Sequence, residues 1–110
     1  MKHVRLAASL AAGSVLFSAT ALAEVDKKTE RLWKSKCASC HGAAGKGDTD
    51  KGQQLKIVDM TTAGFQAKKD DELKKAILDG VEKEKGHTFK GELTPDQVDA
   101  LVAYARTFKK

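Results

Sequence analysis

The stretch Cys37-Ala38-Ser39-Cys40-His41 constrains this chain more than any other, because it holds the only two cysteines in 110 residues, three positions apart, with a histidine directly after them. On a helix that spacing puts both sulfurs on one face. A disulfide is the first expectation for two cysteines in an oxidising compartment, but the spacing argues for another use. A thioredoxin-like dithiol expects a βαβ context that the sequence lacks, and zinc needs further Cys or His ligands where only His87 remains outside the N-terminal leader. C-x-x-C-H reads instead as an attachment site for c-type haem. The two thiols can add to the two vinyl groups along one porphyrin edge, and His41 then reaches the iron as proximal ligand. Its other ring nitrogen is expected to be fixed by an acceptor.

The leader sets the compartment and the size of the mature chain. Lys2, His3 and Arg5 form a positive n-region, Leu6 to Thr20 an apolar stretch, and Ala21-Leu22-Ala23 a small-x-small cleavage pattern. The expected organisation is a signal peptide over residues 1–23 and one domain over 24–110, exported to a bacterial periplasm. A membrane anchor would need roughly 20 apolar residues with different flanks, so the mature chain is not expected to span a membrane. Removing 23 residues from 110 leaves 87, enough for one small core of marginal stability. Aromatic residues make up 5% of the sequence, so the core is thin and an embedded porphyrin would fill it. The formal net charge of +5 falls to +3 without Lys2 and Arg5, a mild excess with both signs interspersed that implies no nucleic acid.

Periodicity in the mature chain is helical, with no alternating strand pattern. Val25 to Ser39 has no Gly or Pro and predicts an amphipathic helix that runs into the cysteines and ends near Gly42. Gly42 to Gly52 predicts a polar loop able to approach a flat group closely. Leu55 to Met60 is a short apolar run that periodicity cannot assign, with Thr61, Thr62 and Gly64 marking a turn after it. A second helix starts at Asp70-Asp71-Glu72, carries Leu73, Ile77 and Leu78, and stops at Gly80. Glu82 to Gly91 is a charged loop holding His87 and Phe89. Thr94, Pro95 and Gln97 form a capping box, and the helix behind them sets Val98, Leu101, Val102, Ala105 and Phe108 on one face.

These residues together resemble the class I cytochrome c family, particularly its small bacterial, c6-like or c5-like members, across essentially the whole mature chain. Besides the pentapeptide, Leu32-Trp33 is similar to the apolar-aromatic pair before the first cysteine, and His41-Gly42-Ala43-Ala44-Gly45-Lys46-Gly47-Asp48 resembles the loop after the haem motif. Asp59-Met60-Thr61 is similar to the family's "D-L-T" segment, and Leu101-Val102-Ala103-Tyr104-Ala105-Arg106 resembles its C-terminal helix. The resemblance implies an all-α fold in which N- and C-terminal helices cross around one covalently bound haem c. It also implies a monohaem carrier of single electrons between redox protein partners, not an enzyme; a monomer is expected.

The chain departs from the family pattern twice. No methionine stands in the loop before the last helix, where the sixth iron ligand usually lies; His87, two positions before Phe89, matches that place approximately. His87 is the preferred sixth ligand, with a solvated loop histidine as the bland alternative. Met60 is the only methionine of the mature chain and reads more readily as core, although ligation by it stays open. A vacant sixth position is the third possibility, and it would make the protein a haem-based ligand-binding sensor or weak peroxidase. The second departure is the proline whose carbonyl accepts from the proximal histidine: the only proline here is Pro95, so a carbonyl between Gln53 and Val58 must serve or the bond is missing. Trp33, Phe65, Phe89 and Tyr104 either line the haem or fill the core, with Tyr104 able to point at a propionate. Lys27-Lys28, Lys68-Lys69 and Lys74-Lys75 read as solvated faces, with docking of an acidic redox partner as the minority view.

Overall fold

The structure is a computed structural model, and it describes residues 13, 26–81, 84 and 86–110. Apart from Gly13, the expected signal peptide lies outside the described residues, as do Glu24, Val25, Glu82, Lys83 and Lys85. The described chain is helical: α1 Lys27–Lys36, α2 Ala38–His41, α3 Asp50–Gln54, α4 Ala63–Gln66, α5 Asp70–Asp79 and α6 Pro95–Arg106. Two isolated bridges, Val81 with Glu84 and Lys90 with Leu93, are its only β pairings. None of the described helices is long and apolar enough to cross a membrane.

The predicted first helix is broken at Cys37. Asp26 caps α1 by accepting from the Thr29 amide, and the helix closes where the Cys37 amide donates to Trp33 O at 2.8 Å. Cys37 then leaves the helical region, with φ of −121°, and α2 restarts over one turn that carries Cys40 and His41. The glycine-rich loop is shorter than predicted for a similar reason. Thr49 Oγ1 accepts from the Gly52 amide and so starts α3 inside it. Likewise Thr62 caps a one-turn α4 where the sequence suggested only a turn.

Helices α5 and α6 match their sequence signals. The acidic first turn of α5 complements the helix dipole, and Gly80 ends it at φ 84° and ψ −173°, a region open essentially to glycine alone. At Thr94 both hydrogen bonds of the capping box form, and Pro95 occupies the first turn of α6. The apolar stripe Val98, Leu101, Val102 and Ala105 is buried, packing α6 against both α1 and α5. Trp33, Met60, Phe65, Leu73 and Leu93 complete the core. Phe108 lies just beyond the end of α6, partly buried, with its ring against Gly45; a β-carbon there would lie 2.5 Å from the phenyl ring. The C-terminus is thereby laid over the glycine loop that follows the cysteine motif.

Arg106 ties α6 to the segment between α4 and α5. Its guanidinium donates to Gln66 O at 2.9 Å, Lys68 O at 2.5 Å and Asp70 Oδ1 at 2.8 Å. Gln66 in turn donates from Nε2 to both Met60 O and Ala105 O. Lys74, read from the sequence as a solvated lysine, reaches Asp99 at 2.9 Å and links α5 to α6.

Candidate functional site

A cavity of about 680 Å³ opens between the cysteine motif, α5, α6 and the segment after α3. That is within the usual size range of small-molecule and cofactor sites, and its walls are largely apolar. Leu55, Ile57, Phe65, Leu73 and Leu101 contribute to them. Cys37, Cys40, His41 and His87 all border the same space.

The motif half is braced from behind. Thr49 Oγ1 donates to Cys40 O at 3.0 Å, the Gly47 amide to His41 O at 2.8 Å, and Trp33 Nε1 to Gly42 O at 3.1 Å. Gly42 sits at φ 82° with its α-carbon against the Asp48 carboxylate, so the backbone turns sharply at the end of the motif. Cys37 and Cys40 are free, half-buried thiols. Burial pushes the Cys37 thiol up to about 11, which keeps it protonated at neutral pH, unlike a redox-active dithiol.

His41 is held down to about 4, first by burial and second by its proximity to His87, so the imidazole is neutral and has a lone pair to give. Its Nδ1 is buried with no hydrogen-bond partner, and it is the only such side-chain atom among the described residues. The acceptor expected from residues 53–58 is therefore missing. The segment is folded on itself: the Ile57 amide returns to Gly52 O at 2.9 Å, and Ile57 O lies against Gly47, 2.9 Å from where a β-carbon there would stand.

His87 is fixed by the end of α5. Its Nδ1 lies 3.0 Å from Ala76 O, Thr88 Oγ1 donates to Leu78 O at 2.6 Å, and the Phe89 amide donates to Ile77 O at 3.0 Å. These three carbonyls belong to the last turn of a helix and have no partner within it. Donation from Nδ1 leaves Nε2 as the nitrogen with a free lone pair. The rings of His41 and His87 are 5.9 Å apart, centre to centre, with planes at 75° and no hydrogen bond between them.

The donor set fits a haem iron better than its rivals. No cluster of three or more His, Cys, Asp or Glu side chains converges on a metal-sized point among the described residues, which counts against zinc. Two unpaired thiols at one border of an apolar cavity and two imidazoles within 6 Å of each other suit a planar group bound at one edge. Met60 also borders the cavity, but it is buried in the core, its amide bonded to Gly45 O and its carbonyl to Gln66. Trp33, Phe65 and Phe89 line the cavity, whereas Tyr104 does not; it packs on Trp33 and Phe108 instead. Sequence reasoning missed the Ala76 carbonyl, because a backbone acceptor leaves no mark in the side-chain pattern. It also missed the brace from Thr49, for which the Thr-Asp pair ahead of α3 was an available cap signal.

The family model described as Cytochrome c matches residues 27–109. Among solved structures, one described as "KustC0563 c-type cytochrome" superposes with a TM-score of 0.68 at 35% sequence identity, over 74% of this chain and 98% of that one. No curated protein matches the chain. The chain belongs to the cytochrome c family, small helical haem proteins that carry electrons. Its cofactor is haem c, covalently attached in this family, and Cys37 and Cys40 stand in the C-x-x-C-H arrangement that such attachment uses.

Proposed function

We propose that this protein is an exported, soluble, monomeric monohaem carrier whose iron is held between His41 and His87, with Cys37 and Cys40 forming the thioether links. The observation that carries the reading is the pairing of the two imidazoles 5.9 Å apart across the cavity, with His87 oriented by its bond to Ala76 O. The haem supplies a ferric–ferrous couple, and the chain's residues bind it, orient it and keep water away. The apolar walls raise the cost of the extra ferric charge, while two imidazoles give a lower potential than a Met/His pair. With His87 bonded to the end of α5 and the backbone of the motif braced by Thr49, Gly47 and Trp33, little would have to move in the chain when an electron passes.

Val58 and Val81 are the large apolar side chains left exposed among the described residues, and both border the cavity, as do Lys51 and Lys56. A small apolar patch with a basic rim suits brief contacts with redox partners rather than tight ones. Export to the periplasm is supported by the leader at residues 1–23.

The test is an optical and low-temperature EPR spectrum of the mature protein, matured with covalent haem, beside His87→Ala. Low-spin bis-imidazole signals that turn high-spin in the variant are expected. A long-wavelength Met-to-ferric band in the wild type would assign the sixth position to Met60, and a high-spin wild type would make the protein a ligand-binding sensor or peroxidase.

A further inference from the structure

Trp33 touches both the haem cavity and a ring outside it. Its indole centre lies 5.8 Å from the His41 imidazole and 5.3 Å from the Tyr104 phenol, which is edge-on to it at 70°. Both distances are those of aromatic rings in contact. Trp33 is 3% exposed, whereas Tyr104 is only partly buried and lies away from the cavity. They are the only tryptophan and the only tyrosine of the chain, and indole and phenol are the aromatic side chains that give up an electron most readily.

We propose that Trp33 and Tyr104 form an escape route through which oxidising equivalents delivered to the haem by hydrogen peroxide leave for the protein surface. The proposal rests on the reading of His41 as the iron's proximal ligand. The two residues differ in what happens to their protons. The Trp33 N–H is buried and donates to Gly42 O at 3.1 Å, so an oxidised indole has nowhere to send its proton and acts as a relay. Tyr104 keeps its phenol proton at neutral pH, its pKa raised by burial and by the charge of Glu30, and its position at the surface lets that proton go to water when the electron leaves. The oxidation therefore comes to rest on Tyr104.

The step balances for the ferrous protein. Reducing hydrogen peroxide to water takes two electrons and two protons; a bound ferrous haem would supply one electron, and Tyr104 gives the second by way of Trp33. The phenol proton and one proton from solvent complete two water molecules, and Tyr104 is left as a neutral phenoxyl radical. Without the route an oxidisable side chain on the cavity wall is Met60, whose thioether takes an oxygen atom from the peroxide to become a polar sulfoxide in the core.

The experiment mixes the reduced, haem-loaded mature protein with hydrogen peroxide, freezes it within milliseconds for EPR, and measures Met60 sulfoxide by mass spectrometry. Wild type, Tyr104→Phe and Trp33→Phe are compared, each also in a His87→Ala background so that peroxide access does not limit the result. In the His87→Ala background, where the sixth position is open, a tyrosyl signal is expected, lost when Tyr104→Phe is added and reduced when Trp33→Phe is added, with more Met60 sulfoxide in both. In that background a tyrosyl signal of undiminished yield with Trp33→Phe overturns the route, as does equal Met60 oxidation with and without Tyr104→Phe, a comparison that stands even where Trp33→Phe fails to fold. Covalent haem is checked beforehand by peptide mass and the pyridine haemochrome; its absence would overturn the haem reading itself, a different failure from a haem that reacts and leaves no radical.

Discussion

Gly80 and His87 meet backbone to backbone: a β-carbon built on Gly80 would lie 2.5 Å from the carbonyl oxygen of His87. The glycine also sits at φ 84° and ψ −173°, where any other residue is strained by about 1–3 kcal/mol. Gly80→Ala is therefore expected to lower stability by about that amount and to push the loop carrying His87 away from α5. In the haem-loaded protein the expected readout is a partial conversion to high spin by EPR alongside a lower denaturant midpoint. A variant with wild-type spin state and midpoint would mean that the contact does not position His87.

Acid should weaken the haem-free chain, in which no iron takes the His41 lone pair, in a defined window. His41 binds a proton at its ordinary value of 6.5 when unfolded but only at about 4 when folded, so between these values the unfolded chain binds more protons. The stability contributed by a neutral His41 is fully present above pH 6.5, declines as pH falls, and is lost through about 4. One proton's difference corresponds to a slope of at most about 1.4 kcal/mol per pH unit. Asp26 and Asp59, held low by hydrogen bonds from Thr29 and Thr61, add losses of the same sign only below the ordinary carboxylate value of 3.8. Urea midpoints measured from neutral pH down to about 4 check this; a flat profile across the window contradicts a buried, neutral His41.

Arg106→Ala removes donors from two backbone carbonyls and one carboxylate at once. The charged donor on the part-buried Gln66 carbonyl puts the expected loss at about 1.5–3 kcal/mol, with the exposed bonds to Lys68 O and Asp70 contributing little of it. Arg106→Lys should recover less than half, since an ammonium cannot reproduce the planar fork that spans Gln66 O and Lys68 O. Chemical denaturation of the three proteins decides the matter.

Thr94→Ala breaks the capping box at the start of α6, where the Thr94 hydroxyl accepts from the Gln97 amide at 3.2 Å. The expected cost is about 1 kcal/mol, read as a lower denaturant midpoint with an unchanged haem spectrum, because neither Thr94 nor Gln97 borders the cavity. A spectral change would show that the register of α6 reaches the site.

Helices α5 and α6 were legible because their start and stop signals are local. The Thr94-Pro95-Asp96-Gln97 run and the acid-led, glycine-stopped run from Asp70 to Gly80 each contain a complete start or stop written in consecutive residues. The haem chemistry was legible for the same reason, since C-x-x-C-H is contiguous. Helices α3 and α4 span five and four residues, too short for any periodicity, and only their threonine caps announce them. The break at Cys37 has no breaker residue; the backbone leaves the helical region there, and the turn that follows carries Cys40 and His41 to the cavity. What holds His87 and what fails to hold His41 are both matters of which carbonyl lies nearby, and carbonyls are identical in every residue.

The loop of His87 gives its hydrogen bonds to the last carbonyls of α5, so the helix end and the loop have no independent existence as ordered structure. In amide exchange the Phe89 amide and those of the last turn of α5 should open together, with one protection factor, as a single cooperative unit. Anything that clamps His87, such as an iron bond, should slow exchange in that turn of helix, and loss of the bond should fray it. The redox centre would then report its own integrity through the exchange of a helix end that supplies none of its ligands.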